Sequence, residues 1–416
     1  MLPAKFVERV LRELGPDEGG ALCRALTGEP SVSVRLNAAK GLAAPSGRPI
    51  GWSTGGYWLD ARPSFTLDPD FHAGRYYVQE ASSQFVGHIV AACGGIGGGR
   101  VLDLCAAPGG KTTLYSTLAG RGGLVVANEI VRNRAAVLAD NVRKWGVGNV
   151  AVTVNDPSQV ARLEGWFDAV AVDAPCSGEG MFRKLEEART EWSEAGVALC
   201  AERQRGILRE AWRALRPGGL LLYSTCTFNF TENEGVLRDF LVWAAGETEP
   251  AERIAVDPAW GVVCGAEGDF QTFRFYPHRV EGEGFFAAAV RKRAAGGERR
   301  RVPRPQRDPL AWADRRAVQE LERWVEEPEA MRFAAVGGTF YGYWQPQAEA
   351  VAMLSGVLNV IASGGEMGQL FKGRPMRWRS SRGCAAGRRP CASCRRRRRC
   401  ATCVAARWLP AVSRKG

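Results

Sequence analysis

The chain has 416 residues, a length that predicts two or three domains. Its composition, 45% hydrophobic and 24% charged, indicates a globular, soluble protein, and no apolar run approaches membrane-spanning length. The formal net charge is +12, but residues 371–416 hold 15 of the 56 basic residues and none of the 44 acidic ones. The rest of the chain is slightly acidic, so bulk charge does not by itself indicate nucleic-acid binding.

The first segment, 1–74, is predicted to open with an amphipathic helix, because Phe6, Val10, Leu11 and Leu14 recur at helical spacing. A short strand is predicted over 31–37 and a helix from Tyr77 to Cys93. The N-terminus lacks the apolar core of a signal peptide, which predicts a cytoplasmic protein.

From Arg100 the pattern alternates between strand and helix, which predicts an α/β protein with a Rossmann-like, parallel, doubly wound sheet. Strands are predicted at 100–105, 122–128, 150–154, 167–173 and 218–224, and helices at 110–119, 132–145, 197–215 and 232–244. The run Thr231 to Glu234 is typical of a capping box at the start of the last helix. Apolar runs at 269–276 and 284–290 predict antiparallel edge strands that end this domain, 75–293.

The remaining chain divides into three predicted parts. A basic linker spans 294–308, and a small separate domain spans 309–370, with a helix over 309–324 and a strand over 339–344. Residues 371–416 are rich in arginine and cysteine and lack periodicity. Three readings of this tail stay open: a disordered basic segment, an out-of-frame translation, or a zinc site at Cys391, Cys394, Cys400 and Cys403.

The end of the first predicted strand of the sheet indicates a cofactor site. Small residues and helix-start amides there suit a close-lying carboxylate or phosphate: Cys105, Ala106, Ala107, Pro108, Gly109, Gly110 and Lys111. Neither a P-loop nor a dinucleotide fingerprint matches. Glu129, after the second strand, is placed to hold ribose hydroxyls, and Asp156, after the third, to meet an adenine ring. This pattern favours S-adenosylmethionine; the alternative is a structural turn with surface acids.

Two cysteines follow the ends of two further strands. Cys176 lies in Asp173-Ala174-Pro175-Cys176, and Cys226 lies in Ser224-Thr225-Cys226. Ligands bind where the carboxyl ends of such strands meet, so the two thiols are expected together beside the cofactor. The seven cysteines of residues 1–370 are scattered, which fits a reducing compartment in which thiols stay free, and no metal site is predicted there. Each cysteine alone could be an inert core residue.

These three motifs together resemble the RNA (cytosine-5)-methyltransferases of the RsmB/RsmF, or Fmu/Sun, group, and the RsmF branch in particular. The resemblance extends from about residue 76 to 293, and Arg35-Leu36-Asn37 resembles an N-terminal feature of that branch. It implies cofactor contacts at residues 105–111, Glu129, Asp156 and Asp173. It also implies Cys226 as the nucleophile and Cys176 as an aid to product release, with Asp173 activating the base.

The chemistry agrees with these roles, because a thiolate that adds to carbon 6 of cytosine makes carbon 5 nucleophilic enough to take a methyl group. Small-subunit rRNA, possibly within a ribosomal subunit, is the expected partner; tRNA and a non-catalytic, RNA-binding assembly factor are the alternatives. The 1–74 segment is expected to position RNA and 309–370 to bind it, in a monomer without membrane contact. Lys111 is expected to contact Asp173 or substrate, and Arg183 and Lys184 to contact phosphate, with solvated side chains as the alternative.

Overall fold

The computed structural model describes residues 1–294, 310–371 and 374–377. Within those ranges no helix is long and apolar enough to cross a membrane. The helices are α1 (Ala4–Ala25), α2 (Pro69–His72), α3 (Phe85–Ala92), α4 (Gly110–Ala119), α5 (Arg132–Trp145), α6 (Pro157–Val160), α7 (Glu186–Glu191), α8 (Glu194–Ala214), α9 (Glu234–Trp243), α10 (Arg315–Glu322) and α11 (Gln345–Val357).

The strands form three sheets. They are β1 (Ser33–Leu36), β2 (Gly47–Pro49), β3 (Gly56–Leu59), β4 (Tyr76–Val78), β5 (Arg100–Asp103), β6 (Leu124–Asn128), β7 (Val150–Thr153), β8 (Phe167–Asp173), β9 (Leu215–Thr225), β10 (Thr248–Pro250), β11 (Val263–Glu267), β12 (Phe270–Phe275), β13 (Phe285–Lys292), β14 (Met331–Val336), β15 (Thr339–Trp344), β16 (Val360–Ser363), β17 (Gly365–Phe371) and β18 (Arg374–Arg377).

The main sheet confirms the predicted Rossmann-like α/β architecture. Its strand order is β11-β12-β13-β9-β8-β5-β6-β7-β16, with β10 paired to β13. The five strands from β9 to β7 are parallel, whereas β13 joins β9 and β16 joins β7 in antiparallel pairs. The chain leaves β5 towards β6 and later returns to β8 on the other side, which makes the carboxyl end of β5 a switch point where ligands bind.

The predicted elements of this sheet largely agree with the observed ones. Helices α4 and α5 and strand β8 have the predicted bounds, and α8 starts three residues before the predicted position. The sheet separates two large apolar clusters, one on each face. Strands buried on both faces read as continuous apolar runs, which is why their positions could be predicted from the sequence.

The predicted helix over residues 77–93 is wrong in its first half. Tyr77 lies in β4, which pairs with β1 in a four-stranded antiparallel sheet, β2-β3-β1-β4. Glu80 then accepts hydrogen bonds from the backbone N–H groups of Ser82 and Ser83 at 2.9 and 2.8 Å, and this turn precedes α3. The N-terminal sheet therefore extends to Val78, past the predicted boundary at residue 74, and brings β4 against the main sheet.

The predicted capping box before α9 is also wrong. The residue that precedes α9 is Asn233, and its side chain makes no capping hydrogen bond. The carboxylate of Glu234, the acid of the predicted box, instead accepts a hydrogen bond from the side chain of Arg274, at 2.6 Å. Because Arg274 lies 40 positions away in the chain, a long-range contact takes the place of the local one.

Residues 309–370, predicted as a separate domain, are joined to the main sheet. Strand β16 pairs with β7 at the sheet edge, while β14, β15, β17 and β18 form a small antiparallel sheet. The predicted helix shortens to α10, which Asp314 caps by accepting a hydrogen bond from the backbone N–H of Ala317 at 2.8 Å. Strand β18 lies within the predicted tail. The predicted linker beyond residue 294 and the four cysteines of the possible zinc site lie outside the described residues.

Candidate functional site

The two motif cysteines meet where β8 and β9 end. In the parallel pairing of these strands Asp173 lies beside Ser224, so the residues that follow are neighbours. The sulfur atoms of Cys176 and Cys226 are 3.4 Å apart. Both thiols are free and partly buried. The structure thus brings together two sulfur atoms that are 50 positions apart in the chain.

The thiols differ in their surroundings. A hydrogen bond to Cys226 and burial together raise the pKa of Cys176 well above that of an ordinary thiol. Cys226 lines the cavity described below, whereas Cys176 does not. Burial also raises the pKa of the third thiol, Cys105, which keeps it protonated and unreactive.

A close backbone contact holds the Cys226 loop in place. The N–H of Gly180 donates a hydrogen bond to the carbonyl of Cys226 at 2.9 Å. A Cβ at position 180 would lie 2.6 Å from the carbonyl oxygen of Gly284 and 2.8 Å from that of Cys226. Only glycine therefore allows the segment after Cys176 to pass this close to the second cysteine.

Beneath this loop lies a buried carboxylate that the sequence analysis missed. Glu179 is fully buried and accepts hydrogen bonds from Arg9 at 2.6 Å, Trp192 at 3.0 Å and the backbone N–H of Phe228 at 3.0 Å. Arg9 belongs to α1, so the N-terminal helix is tied directly to the two thiol loops. Nothing in the local sequence distinguishes Glu179 from a surface acid.

Lys111 and Asp173 form an ion pair next to the thiols. A contact with Asp173 was one of the alternatives that the sequence predicted for Lys111. The Lys111 ammonium lies 2.9 Å from one oxygen of Asp173, and Ser224 donates a hydrogen bond to the other oxygen at 2.8 Å. Burial opposes the charge on Lys111, but the attraction and hydrogen bond of Asp173 outweigh it and raise the lysine pKa. The pair therefore presents a fixed cation and a fixed carboxylate.

Hydrogen bonds that other residues donate to its carbonyl groups hold the glycine-rich loop in place. The carbonyl of Pro108 accepts hydrogen bonds from the Tyr77 hydroxyl at 3.0 Å and from the Asn141 amide at 2.8 Å. Gly109 has φ 110°, a left-handed conformation that favours glycine, and it immediately precedes α4. From the N-terminal sheet, the buried Arg35 donates to the carbonyl of Gly110 at 3.1 Å. These contacts fix the loop at the N-terminus of α4, where backbone amides favour anions.

Asp103, at the end of β5, is a further site residue that the sequence analysis did not select. It is almost completely buried, and one oxygen accepts a hydrogen bond from Thr112 at 2.6 Å. The other oxygen has no hydrogen-bond partner among the described residues. Burial raises the pKa of Asp103 to about 7. An acid that ends an apolar strand directly before a glycine loop was the signal available in the sequence.

A cavity of about 390 Å³ joins these groups. It lies between the main sheet and the N-terminal segment. Its wall includes most of the predicted cofactor loop, both members of the Lys111–Asp173 ion pair and the thiol of Cys226. The lining residues used below are Arg62, Tyr77, Val78, Asp103, Cys105, Ala106, Ala107, Pro108, Gly110, Lys111, Asp173, Lys184 and Cys226.

The predicted acidic contacts Glu129 and Asp156 lie outside this cavity lining. Glu129 is buried, and its carboxylate accepts a hydrogen bond from the N–H of Val131 at 3.0 Å. Asp156 is exposed and caps α6 by accepting a hydrogen bond from the N–H of Ser158 at 2.9 Å. Asp156 thus has a structural role, and cofactor binding by these two residues stays a prediction.

The two predicted phosphate contacts are engaged within the protein. Arg183 is nearly buried and pairs with the buried Glu283 at 2.9 Å. Lys184 lies 3.5 Å from the same carboxylate, but it is more exposed and lines the cavity. Of the two, Lys184 is the side chain that remains accessible to a ligand.

The switch-point cavity, the glycine-rich loop and the parallel sheet define the fold of S-adenosylmethionine-dependent methyltransferases. Residues 97–291 match the family model for the 16S rRNA methyltransferase RsmB/F, and residues 2–81 match that for the N-terminal domain of the 16S rRNA methyltransferase RsmF. The chain belongs to the RsmB/F methyltransferase family.

Named relatives agree with this assignment. The ribosomal RNA small subunit methyltransferase F of Pectobacterium atrosepticum is 33% identical over 78% of this chain and 72% of its own length. That of Erwinia tasmaniensis is 38% identical over 59% of this chain and 52% of its own length, and the chain spans about half the length of the first relatives it matches. A solved methyltransferase homolog from Pyrococcus horikoshii is 26% identical, with a TM-score of 0.55, over 70% of this chain and 100% of that one.

Proposed function

We propose that this protein transfers a methyl group from S-adenosylmethionine to carbon 5 of a cytosine in small-subunit rRNA, through a covalent adduct with Cys226. The observation that carries the proposal is the pair of sulfur atoms 3.4 Å apart, beside the Lys111–Asp173 ion pair at one cavity. An enzyme that only positioned two substrates would need neither a nucleophile nor a second thiol beside it.

The cavity supports Cys226 as the nucleophile, because its side chain lines the space that a base would enter. Its thiolate adds to carbon 6 of the cytosine ring, and the electron pair moves to carbon 5. Carbon 5 would then bond to the methyl group as the bond between that group and the cofactor sulfur breaks. Removal of the carbon 5 proton by a general base then restores the double bond and expels the thiolate. Cytosine must be unpaired or extruded, since attack comes from the face of the ring.

Cys176 suits the last step. Its raised pKa keeps it a thiol at neutral pH, with its sulfur 3.4 Å from the sulfur of Cys226. An S–H donor at that distance stabilises the departing Cys226 thiolate. A variant without this donor should release its product slowly and accumulate the adduct.

The ion pair is suited to the polar edge of the pyrimidine. The Asp173 carboxylate can accept a hydrogen bond from the exocyclic amino group, and the Lys111 ammonium can donate to a ring nitrogen or carbonyl. A donor there stabilises the electron density that the thiolate adds to the ring. Because Ser224 and Lys111 hold both oxygens of Asp173, the carboxylate is positioned before substrate arrives.

The residues present fit S-adenosylmethionine. The unpartnered oxygen of Asp103 is an acceptor for the α-amino group of the methionine end, and the amides at the start of α4 suit its carboxylate. Residues 105–111, Glu129, Asp156 and Asp173 are the proposed contacts. When bound, the cofactor supplies a methyl group on a positively charged sulfur.

The relatives named above support rRNA as the substrate. We assign RNA positioning to the N-terminal segment, because β4 and Arg62 lie at the cavity, and RNA binding to residues 309–370. The same reaction on tRNA is the alternative substrate. A non-catalytic assembly factor would retain the fold, but it would not need the paired thiols. We further expect a cytoplasmic monomer.

The test measures transfer of a labelled methyl group from S-adenosylmethionine to purified small-subunit rRNA and, separately, to tRNA. Bisulfite sequencing of each product maps any methylated cytosine. We expect one rRNA position, lost in Cys226→Ala. Methylation confined to tRNA would show that tRNA, and not rRNA, is the substrate. Cofactor binding without methyl transfer to either RNA would contradict the enzymatic proposal.

A further inference from the structure

A second cleft lies against the catalytic cavity. It has a volume of about 350 Å³, and its walls come from the N-terminal segment and from the last turns of α5. Its principal side chains are Arg62, Phe65, Phe71, Tyr77, Asn141 and Lys144. We call it the flanking cleft. Nothing in the proposed reaction uses it.

The flanking cleft adjoins the catalytic cavity. Arg62, Tyr77, Val78 and Pro108 line both spaces. The hydroxyl of Tyr77 donates to the carbonyl of Pro108 at 3.0 Å, so this tyrosine forms part of the boundary between the two. The two spaces therefore lie side by side, so that neighbouring units of one ligand chain can occupy them.

The cleft combines aromatic rings with cations. The ring centroids of Phe65 and Phe71 are 6.1 Å apart, and both rings are partly exposed. The ammonium of Lys144 lies 4.0 Å from the centroid of Phe71, and the guanidinium of Arg62 lies 5.6 Å from that of Phe65. Partly exposed rings next to two cations match a nucleotide, with its flat base and its negative phosphate.

The charged side chains that line the flanking cleft are basic. None of its lining residues in the described part of the chain is acidic. The neighbouring carboxylates are engaged elsewhere, since Asp68 accepts a hydrogen bond from Tyr76 at 2.6 Å and Asp70 pairs with Arg75 at 3.1 Å. An anionic ligand therefore meets no unneutralised carboxylate on the cleft wall.

The end of α5 does not offset this charge. The carbonyl of Lys144 accepts a hydrogen bond from the Lys40 ammonium at 2.7 Å, and that of Trp145 accepts one from Asn37 at 2.8 Å. A helix C-terminus normally presents partial negative charge, but here a lysine and an amide neutralise it. The cleft thus keeps its positive character next to the helix end.

We propose that the flanking cleft binds the unpaired nucleotide next to the methylated cytosine, with its base against Phe65 and Phe71 and the connecting phosphate at Arg62 and Lys144. This inference rests on the proposed function and deepens it, because it makes the enzyme select an unpaired nucleotide beside its target. Specificity would come from stacking and strand flexibility rather than from base-edge hydrogen bonds.

The experiment uses full-length protein and a short single-stranded RNA that contains the mapped cytosine. Three RNAs are compared: the intact strand and two strands with an abasic position on either side of the cytosine. With wild-type protein, one of the two abasic strands should raise KM roughly fivefold or more, because it removes one stacked base. With the Phe65→Leu variant, the intact strand should already have this raised KM, and the abasic strand should raise the KM little further.

The charge variants provide a second, independent measurement. Lys144→Gln and Arg62→Gln should each make the salt dependence of RNA binding shallower, by roughly 0.7 in the log–log slope, as expected for one lost contact to single-stranded RNA. Arg253→Gln is the matched control: this exposed arginine follows β10, at the end of the sheet opposite the thiols. For Lys144→Gln we expect a higher KM and an unchanged kcat.

Two results would overturn the inference. The first is an abasic strand that changes the KM of wild-type protein and of Phe65→Leu equally. The second is a salt dependence of RNA binding that is the same in the Arg62 and Lys144 variants as in Arg253→Gln. If wild-type protein methylates no RNA, the proposed function fails instead. Fluorescence anisotropy with any short cytosine-containing single strand, intact or abasic on either side of the cytosine, then still decides whether the flanking cleft holds a base. If the flanking cleft instead binds another protein tightly and its variants leave RNA binding unchanged, it is not a nucleotide site.

Discussion

Replacing Asp103 with asparagine should stabilise the protein at alkaline pH and weaken cofactor binding. Burial raises the pKa of this carboxyl from 3.8 to about 7. Between these values the folded protein holds a proton that the unfolded chain has released, so its stability falls as pH rises through this window. Asparagine cannot titrate, and it can still accept the hydrogen bond from Thr112 that Asp103 accepts at 2.6 Å.

The magnitude follows from the two pKa values. A shift of about three units corresponds to roughly 4 kcal/mol once both states have ionised. About 2–3 kcal/mol of this cost arises between about pH 5 and about pH 8, where the native protein can be studied. The variant should therefore gain about that much stability over wild type when the pH is raised across this interval.

The assay is urea unfolding of both proteins at a series of pH values, with Asp140→Asn as the control. Asp140 is an exposed carboxylate of α5, so it shows the effect of the same substitution on the surface of the protein. Calorimetry should show weaker binding of S-adenosylmethionine to Asp103→Asn. A stability difference that does not vary with pH would mean that Asp103 is ionised in the fold, which would refute the reasoning.

Four further predictions concern the site and the chain end. Cys226→Ala should abolish methyl transfer with nearly unchanged cofactor affinity, whereas Cys176→Ala should accumulate a denaturant-resistant RNA adduct; an adduct in Cys226→Ala instead would reverse their roles. Glu129→Ala should weaken cofactor binding by about tenfold or more, a loss of roughly 1.5–3 kcal/mol, and an unchanged calorimetric Kd would remove Glu129 from the site. Gly180→Ala should cost about 1–3 kcal/mol of stability and slow methyl transfer, since its Cβ would lie 2.8 Å from the Cys226 carbonyl; normal turnover would show that the loop adjusts. Truncation after residue 377 should leave cofactor affinity unchanged and make the salt dependence of RNA binding shallower; zinc binding that is lost on truncation together with stability would show a folded module.

Local sequence determined the central sheet and the motifs at its edge. The bounds of α4, α5 and β8 could be predicted because buried strands and amphipathic helices impose their own periodicity on the residues. The placement of Cys226 directly after an apolar strand likewise needed no knowledge of distant residues. Parallel strands end at one edge, so the convergence of the motifs followed from the fold class.

Only the tertiary structure decided which polar groups work together. Glu234 looked like the acid of a capping box, but its carboxylate binds Arg274, 40 positions further along the chain. Residues 309–370 looked separate until β16 paired with β7. The same holds for the cleft between α5 and the N-terminal segment, for the Arg9–Glu179 pair, and for the buried Asp103 oxygen that no described residue hydrogen-bonds. Such contacts join residues far apart in the chain, and their free energy depends on desolvation by neighbours that no local pattern records.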